Sequence, residues 1–595
     1  LVLLGHDADF VPMEPWARHH PDRTRMLKEW HNMTGGTWGN PIGTKLYRKS
    51  TEKFGMRIWS YDKRGSLNAV YAFLRRLGVR WYMEGELGEV VPSRDTIVLP
   101  KVNREVHPDF PVRNMTFAQY SASKDGEDIL WYLRLGLNRG DRIVGPGGGV
   151  AHEMRKVLGA KGRKEAHPEY YALWGGKREM EKKGSGVPCL SSEELRKENV
   201  MFARAAFDVY DTPMISVMPP DGYARGCHCA LCQGKETADR GYNGRISDYV
   251  WTYVNRVAQE VYRTHPGKKI SCFAYGGYLL PPQGIEKLSP NVVVGIVHGR
   301  SGHFRDPNVR DRVESIQTAW LKKSSNKLLM WEHYPFTHRG TFLPVYYPHA
   351  IAEGLAKLKG KSLGEFIEVP IGPFQERGKA LHTPGFSHLN VYVTARMYWD
   401  ADQDVDALLD EYYEKFYGPA AEEMKAFLEY AEANWERMKT EVKPVEEVFR
   451  RFRGARDSVE PASVYGRRIG LVADYLERLD DLREQLAKGR EGVPVARGRT
   501  RRQKDLTLDG RMDEPFWDGV SAYGLREVQT GAQSVFPTIF RVVWTEKAIC
   551  FGVRCRDPDM ENLKNTAKKD GDPDIWMGDN IEILLETQSH SYYQL

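Results

Sequence analysis

The sequence predicts a multidomain α/β protein built around a central (β/α)8 barrel of the TIM type, and three observations carry that prediction. First, apolar strand-like runs alternate with amphipathic helical stretches across residues 106–401, the pattern of a parallel α/β fold. Second, eight candidate strands fall at residues 112–117, 135–139, 170–174, 214–218, 270–275, 292–297, 328–331 and 365–369. Their spacing of roughly 25 to 60 residues suits a barrel better than an open sheet. Third, the pattern changes on both sides of that region, and 595 residues exceed what one hydrophobic core encloses.

Residues 1–105 read as an N-terminal α/β domain. Short strands are expected at 2–4 and 56–59. A helix opens at Ser66 as N-cap and carries Leu67, Val70, Tyr71, Phe73, Leu74 and Leu77 at helical spacing, with Gly78 ending it. A strand at 79–82 follows. The glycines here match no phosphate-loop spacing. Beyond the barrel, residues 402–490 form a helical domain, with apolar spacing of three and four over 405–416, 420–438 and 464–486 and a break at Tyr417-Gly418-Pro419. Residues 491–505 make a linker. From 506 to 595 the pattern is all-β, with strands at 506–508, 538–544, 548–555 and 580–586 and turn signals at Asp509-Gly510 and Asp557-Pro558, so a truncated β-sandwich is expected.

Composition narrows the function class. The net charge of +6 comes from 86 basic against 80 acidic residues, and the one dense basic run, residues 497–504, sits in the linker. Nucleic acid is therefore not an expected partner. No apolar run reaches the ~18–20 residues of a membrane span. The chain opens on Leu1 without a basic leader and stops inside a strand-like run, which reads as a fragment or a mature chain, with an extracellular or periplasmic location expected. Fifteen Trp and thirty Tyr give the flat aromatic faces that sugar-binding proteins set against pyranose rings, although cores use them as well.

The barrel is organised around residues 211–232. The run Met214-Ile215-Ser216-Val217-Met218 is a buried strand stopped by Pro219-Pro220. Asp221, Gly222 and Tyr223 then lie beyond the strand's C-terminal end, where barrels hold their chemistry. Cys227, Cys229 and Cys232 follow, and with Cys189 they leave three readings open: four thiolates around a structural Zn²⁺, a disulfide in an exported chain, or free buried thiols. None of the three makes the cluster catalytic. Cys550 and Cys555 stand five apart on one strand, so they face opposite ways and are not expected to pair.

Three segments resemble known families. Residues 65–92 resemble the α/β domain that precedes the barrel in glycoside hydrolases of the hexosaminidase and α-glucuronidase kind. The central region resembles the domain-of-unknown-function family 4838, through His167-Pro168-Glu169-Tyr170-Tyr171 with Gly176-Lys177-Arg178, through Pro220-Asp221-Gly222 with Cys227-x-Cys229-x-x-Cys232, and through Tyr417-Gly418-Pro419. That likeness extends to glycoside hydrolase family 163 and implies endo-β-N-acetylglucosaminidase-like activity. Leu508-Asp509-Gly510, Asp513-Glu514-Pro515, Trp517, Val543-Trp544, Asp557-Pro558 and Asp579-Asn580-Ile581-Glu582 resemble a family 9 carbohydrate-binding module.

Such a resemblance implies a retaining hydrolase of N-acetylglucosamine-containing glycans, in which the substrate's own acetamide can act as nucleophile. Asp221 is the expected acetamide polariser and Glu332 the expected acid, raised in pKa by an apolar neighbour such as Trp331. Asp221 equally suits a turn cap, and Glu332 a salt-bridged strand end. Of Glu365 and Glu368, alternation allows one to point inward. Tyr223, His152, Trp331, Tyr334, Tyr278, His298 and Glu368 are expected to bind substrate, and Trp576 in the C-terminal module to offer a face to a sugar. Trp517 and Trp544 read as core. No cofactor is required. A structural Zn²⁺ at the cysteines is one of the three readings given above, and Asp557 and Asp559 suit either a Ca²⁺ site or a plain turn. Two other readings stay open: a non-catalytic glycan-binding barrel, and a hydrolase of uronic-acid linkages, for which Arg178, Arg225 and Arg300 are the cations to inspect.

Overall fold

The computed structural model describes residues 20–39, 65–99, 101, 103–116, 127–137, 151–300, 307–334, 343–368, 373–376, 379–382, 384–487, 499–500, 506–525, 536–563, 579–586 and 592–594. The chain forms two compact units, Leu1–Gln485 and Leu486–Leu595.

The first unit is built on a parallel sheet of β1 (Val112–Thr116), β2 (Met214–Ser216), β3 (Lys269–Ala274), β4 (Val292–His298), β5 (Leu328–His333) and β6 (Ser362–Glu368). Their spatial order is β1-β6-β5-β4-β3-β2. Every neighbouring pair is parallel, and the last strand closes beside the first, as the curled sheet of a barrel does. Helices α1 (Glu193–Tyr210), α2 (Ser247–Tyr262), α3 (Pro307–Lys323), α4 (Pro348–Leu358) and α5 (Pro384–Trp399) run between and after the strands. Ser192 caps α1 by accepting a hydrogen bond from the Leu195 amide. Ile270, Cys272, Phe273, Ala274, Val292 and Val294 are fully buried, each contributing about 1.5–3 kcal/mol for the larger side chains. Burial on both faces explains why these strands read as continuous apolar runs.

Six of the eight expected strands thus lie in this sheet, and two do not. After the helix Glu127–Arg134, Gly136 turns the chain with φ of 66°, and residues 138–139 lie outside the described ones. The run 170–174 is diverted by its own glycines. Tyr170 closes a short 3-10 turn, and Leu173–Trp174 pairs antiparallel with Lys177–Arg178 through Gly175-Gly176, at φ of 52° and 78°. A two-residue loop with both φ positive makes a tight hairpin, and that local choice overrides a parallel partner.

Of the expected N-terminal elements, the helix appears as Gly65–Arg76 and the following strand as Arg80–Trp81, paired with Glu89–Val90. Strands 2–4 and 56–59 lie outside the described residues. The helices expected after the barrel appear as Val405–Tyr412, Ala421–Asn434 and Val464–Ala487, with Gly418 at φ of 52° at the expected break, and a further helix, Val442–Asp457, stands where none was expected. Among the described residues no helix is long and apolar enough to cross a membrane.

In the second unit, Thr538–Trp544 pairs antiparallel with Ile549–Cys555 and Tyr523–Gly524, and parallel with Arg499–Thr500. Leu584–Glu586 pairs with Tyr592–Gln594. Phe516, Trp517, Val520 and Val543 form its core. Trp517 is core as expected, whereas Trp544 is 51% exposed, because alternation turns it away from the face on which Val543 is buried.

Candidate active site

Because all six strands are parallel, their C-terminal ends gather on one side, and residue parity decides which side chains share a face there. A register shift between Ser362 and Glu365 inserts one extra residue into β6. Phe366 then falls opposite Trp331 and Glu368 opposite His333. The Trp331 and Phe366 rings lie 4.6 Å apart, and the Trp331 and His333 rings stack at 6.2 Å. Glu368 Oε2 stands 3.6 Å from His333 Nε2.

The same face continues across the sheet. Phe273 of β3 packs edge-on against Trp331 at 5.2 Å, which Gly295 permits, since a Cβ there would stand 2.2 Å from the Phe273 ring. His152 lies 6.4 Å from the Trp331 ring and 6.4 Å from that of Tyr275. His152 adopts φ of 56°, a left-handed conformation costly for a residue with a Cβ. Its Nδ1 is 2.7 Å from the Pro219 carbonyl, which fixes the Nδ1–H tautomer. Tyr275 donates to Asp221 Oδ1 at 3.5 Å, and Asp221 is exposed. A run of neighbouring side chains therefore leads from Asp221 through Tyr275, His152, Trp331 and His333 to Glu368.

Glu332 stands on the opposite face. It is fully buried, as is Glu365, and Arg300 lies 2% exposed between them. The Arg300 amide donates to Glu332 Oε2 at 2.8 Å. The Arg300 guanidinium grips Glu365 through both terminal nitrogens and stands 3.9 Å from Glu332 Oε1. Tyr398 of α5 donates to Glu365 Oε2 at 3.0 Å, so the cluster sits between sheet and helix layer. Burial pushes the Glu332 carboxyl up to about 7, against the pull of Arg300, and raises Glu365 as well. One guanidinium cannot neutralise two buried carboxylates, so the pair retains a proton. The pKa expected of an acid is present at Glu332, but its cause is desolvation among protein groups.

The other expected residues divide similarly. Tyr223, 2% exposed, donates to the Pro188 carbonyl at 3.3 Å. Tyr278 is fully buried, and its carbonyl accepts from Trp251 Nε1 at 3.1 Å. Tyr334 is 2% exposed and bonds Thr394 of α5. These three serve packing. His298 is the last residue of β4, in register with Glu332. Trp576 lies outside the described residues. Asp557 and Asp559 are held in a turn, with the Asp559 amide donating to Asp557 Oδ1 at 2.8 Å and Asn562 Nδ2 to Asp559 Oδ1 at 2.8 Å. Arg178 donates to the Tyr171 carbonyl and Arg225 stacks 4.2 Å over Trp174. Arg300 is committed to two buried carboxylates.

Sequence reasoning passed over Tyr275 and His333. Each is a polar aromatic residue at a strand's C-terminal end, and His333 stands two residues from Trp331. That offset was the available signal.

The four cysteines converge. Sγ of Cys189 lies 3.7 Å from that of Cys229 and 3.5 Å from that of Cys232, and Cys229 and Cys232 are 3.6 Å apart. All four Sγ atoms fall within 4.8 Å of one another, and no disulfide joins them.

The family description "Domain of unknown function (DUF4838)" matches residues 83–429, more than half of the chain. No curated protein is matched. Among solved structures, that of a "GH138 enzyme targeting pectin rhamnogalacturonan II" is similar at 10% identity with a TM-score of 0.26, covering 51% of this chain and 51% of that one. The match thus spans about half the length of that structure.

Proposed function

The chain belongs to the DUF4838 family, whose description names no activity, and from its own site we propose that it hydrolyses glycosidic bonds in N-acetylglucosamine-containing glycans. The observation that supports this is the run of neighbouring side chains from Asp221 through Tyr275, His152, Trp331 and His333 to Glu368, beyond or at the C-terminal ends of parallel strands, the part of a barrel where catalytic groups collect. The Trp331 ring suits the C–H face of a pyranose. Asp221 accepts and Tyr275 donates, 3.5 Å apart, which complements the N–H and C=O of one acetamide.

In this reading Glu368 replaces Glu332 as the acid and Asp221 keeps the role of acetamide polariser. Glu368, held beside His333, gives its proton to the glycosidic oxygen as the C–O bond breaks. The acetamide oxygen, made more nucleophilic as Asp221 takes up the N–H, closes on the anomeric carbon. Water, deprotonated by Glu368, then opens that ring with net retention while Asp221 returns the proton to the acetamide nitrogen. An extracellular or periplasmic site of action fits such a substrate, and the C-terminal unit would add a carbohydrate-binding surface.

The test is release of sugar from a complex N-glycan, from a chitooligosaccharide and from a uronic-acid oligosaccharide. We expect the N-acetylglucosamine substrates to be cleaved and Glu368→Gln and Asp221→Asn each to lose on the order of 10²-fold or more in kcat. Glu332→Gln should keep most of the rate. Full activity in Glu368→Gln removes that residue from the mechanism. Cleavage of the uronic-acid substrate alone replaces the substrate class, and release from none favours a non-catalytic glycan-binding barrel.

A further inference from the structure

We propose that Cys189, Cys227, Cys229 and Cys232 hold one structural Zn²⁺ that pins the loop carrying Asp221 to the segment leading into α1. At the Zn–S length of about 2.3 Å, a tetrahedron of thiolates has edges of ~3.8 Å. The Cys189–Cys229, Cys189–Cys232 and Cys229–Cys232 separations of 3.7, 3.5 and 3.6 Å match that edge and stand far from the ~2.05 Å of a disulfide. Three thiols within reach of one another, with a fourth beside them, form a three-dimensional cage. A disulfide pair would leave two thiols over.

The surroundings are built for sulfur that carries charge. Cys227 Sγ accepts from the amides of Leu173 at 3.2 Å and Cys229 at 3.4 Å. Cys232 Sγ lies 3.1 Å from the Ser191 hydroxyl and 3.2 Å from that of Tyr249. Such donors hold metal-bound thiolates in place and offset the net negative charge of a four-thiolate zinc. They also explain the hairpin at Leu173–Trp174, since Leu173 donates its amide to Cys227 Sγ and accepts at its carbonyl from the His228 amide at 3.0 Å. Trp174 Nε1 donates to the Gly226 carbonyl at 2.7 Å. The segment that leaves the sheet thus clamps the cysteine loop. Four thiolates leave the metal no open position, so its role is to fix Asp221, which stands six residues ahead of Cys227. This inference stands whether or not the barrel hydrolyses anything.

The full chain, purified without added metal, should contain one equivalent of zinc by mass spectrometry, released stoichiometrically when a mercurial titrates the thiols. Removing zinc with a chelator should lower the thermal midpoint by at least ~5 °C. Refilling with Co²⁺ should give the visible bands of a tetrahedral thiolate site, lost on adding Zn²⁺. Cys232→Ser should abolish both signals, and Cys555→Ser, at an exposed position in the other unit, should leave them intact. The chelator and Co²⁺ arms use the unaltered protein, so misfolding of Cys232→Ser does not blunt the test. Zinc absent with fewer than seven thiols reactive in denaturant would establish a disulfide, since buried Cys272 escapes titration in the folded protein. Zinc absent with all seven reactive and no Co²⁺ bands would leave free thiols. Either outcome overturns the proposal.

Discussion

Glu332 and Trp331 are adjacent, yet one is buried behind the sheet and the other stands half-buried among the rings of the opposite face. Their separation makes a stability prediction. Glu332 has its folded pKa raised to about 7, above the ~4.3 of an unfolded glutamate. A group raised on folding contributes its stability below the unfolded value and loses it as pH climbs through the folded one. Wild-type stability should therefore fall between about pH 4.3 and 7 through this residue. Glu332→Gln keeps an acceptor for the Arg300 amide and removes that slope, so the unfolding free energy from urea titrations should change between pH 5 and pH 8 in the variant's favour by about 2 kcal/mol. Arg300→Met should instead cost about 3–5 kcal/mol, because it leaves the ionised member of the buried Glu332–Glu365 pair without its counter-charge. A common pH slope in wild type and Glu332→Gln would place the retained proton elsewhere. At this scale the sequence was legible in part. Asp221, His152, Trp331 and Glu368 could be picked out as residues near strand ends, but Leu328-Leu329-Met330 is buried on both faces and gives no sign of which side is inner. Without that sign Glu332 was the expected acid and Glu368 only a substrate-binding residue.

At the scale of elements, the phase of β6 decides which carboxylate reaches the site, and Gly364 sets that phase. It stands at φ of 124°, and a Cβ there would lie 1.9 Å from the Val112 carbonyl oxygen of β1. Ser362 Oγ accepts the Gly364 amide at 3.0 Å and donates to the Leu328 carbonyl at 3.1 Å, bracing the extra residue. Gly364→Ala must push β1 and β6 apart, at a cost of roughly 3–5 kcal/mol. Its thermal midpoint should drop accordingly, and the folded fraction should lose kcat as Glu368 shifts. An unchanged midpoint would mean the bulge is compliant and not the device that sets the register. The alternation of strands and helices was readable because periodicity survives burial. The bulge was not, since one glycine in an apolar run has many explanations. The fate of 170–174 was equally hidden: its composition suits a strand, and only the antiparallel partner and the thiol of Cys227 show why it serves a hairpin.

At the scale of the whole chain, each unit has its own core, which predicts that they fold separately. Phe516, Trp517, Val520 and Val543 fill the second unit with Leu506, Met512 and Cys550 packed against them, and Arg499–Thr500 pairs within that unit's sheet. The all-β pattern after residue 506 was legible because turn signals and alternation are local. Which tryptophan faces solvent was not, since Trp517 and Trp544 carry equal weight in sequence and only the burial of Val543 against Cys550 shows Trp544 turned outward. A chain ending at Ala487 should therefore keep the thermal midpoint of the first unit, its cysteine-bound metal and its kcat on a soluble oligosaccharide. If the second unit serves as a carbohydrate-binding module, the shortened chain should be lost only from an insoluble polysaccharide, in a pull-down at fixed protein concentration. Trp544→Ala in the full chain should reproduce that loss, since an exposed indole offers a flat face without supporting the core. Equal retention of the full, shortened and Trp544→Ala chains would make the second unit a passive appendage. Loss of kcat on the soluble substrate would instead mean that the barrel depends on residues beyond Ala487.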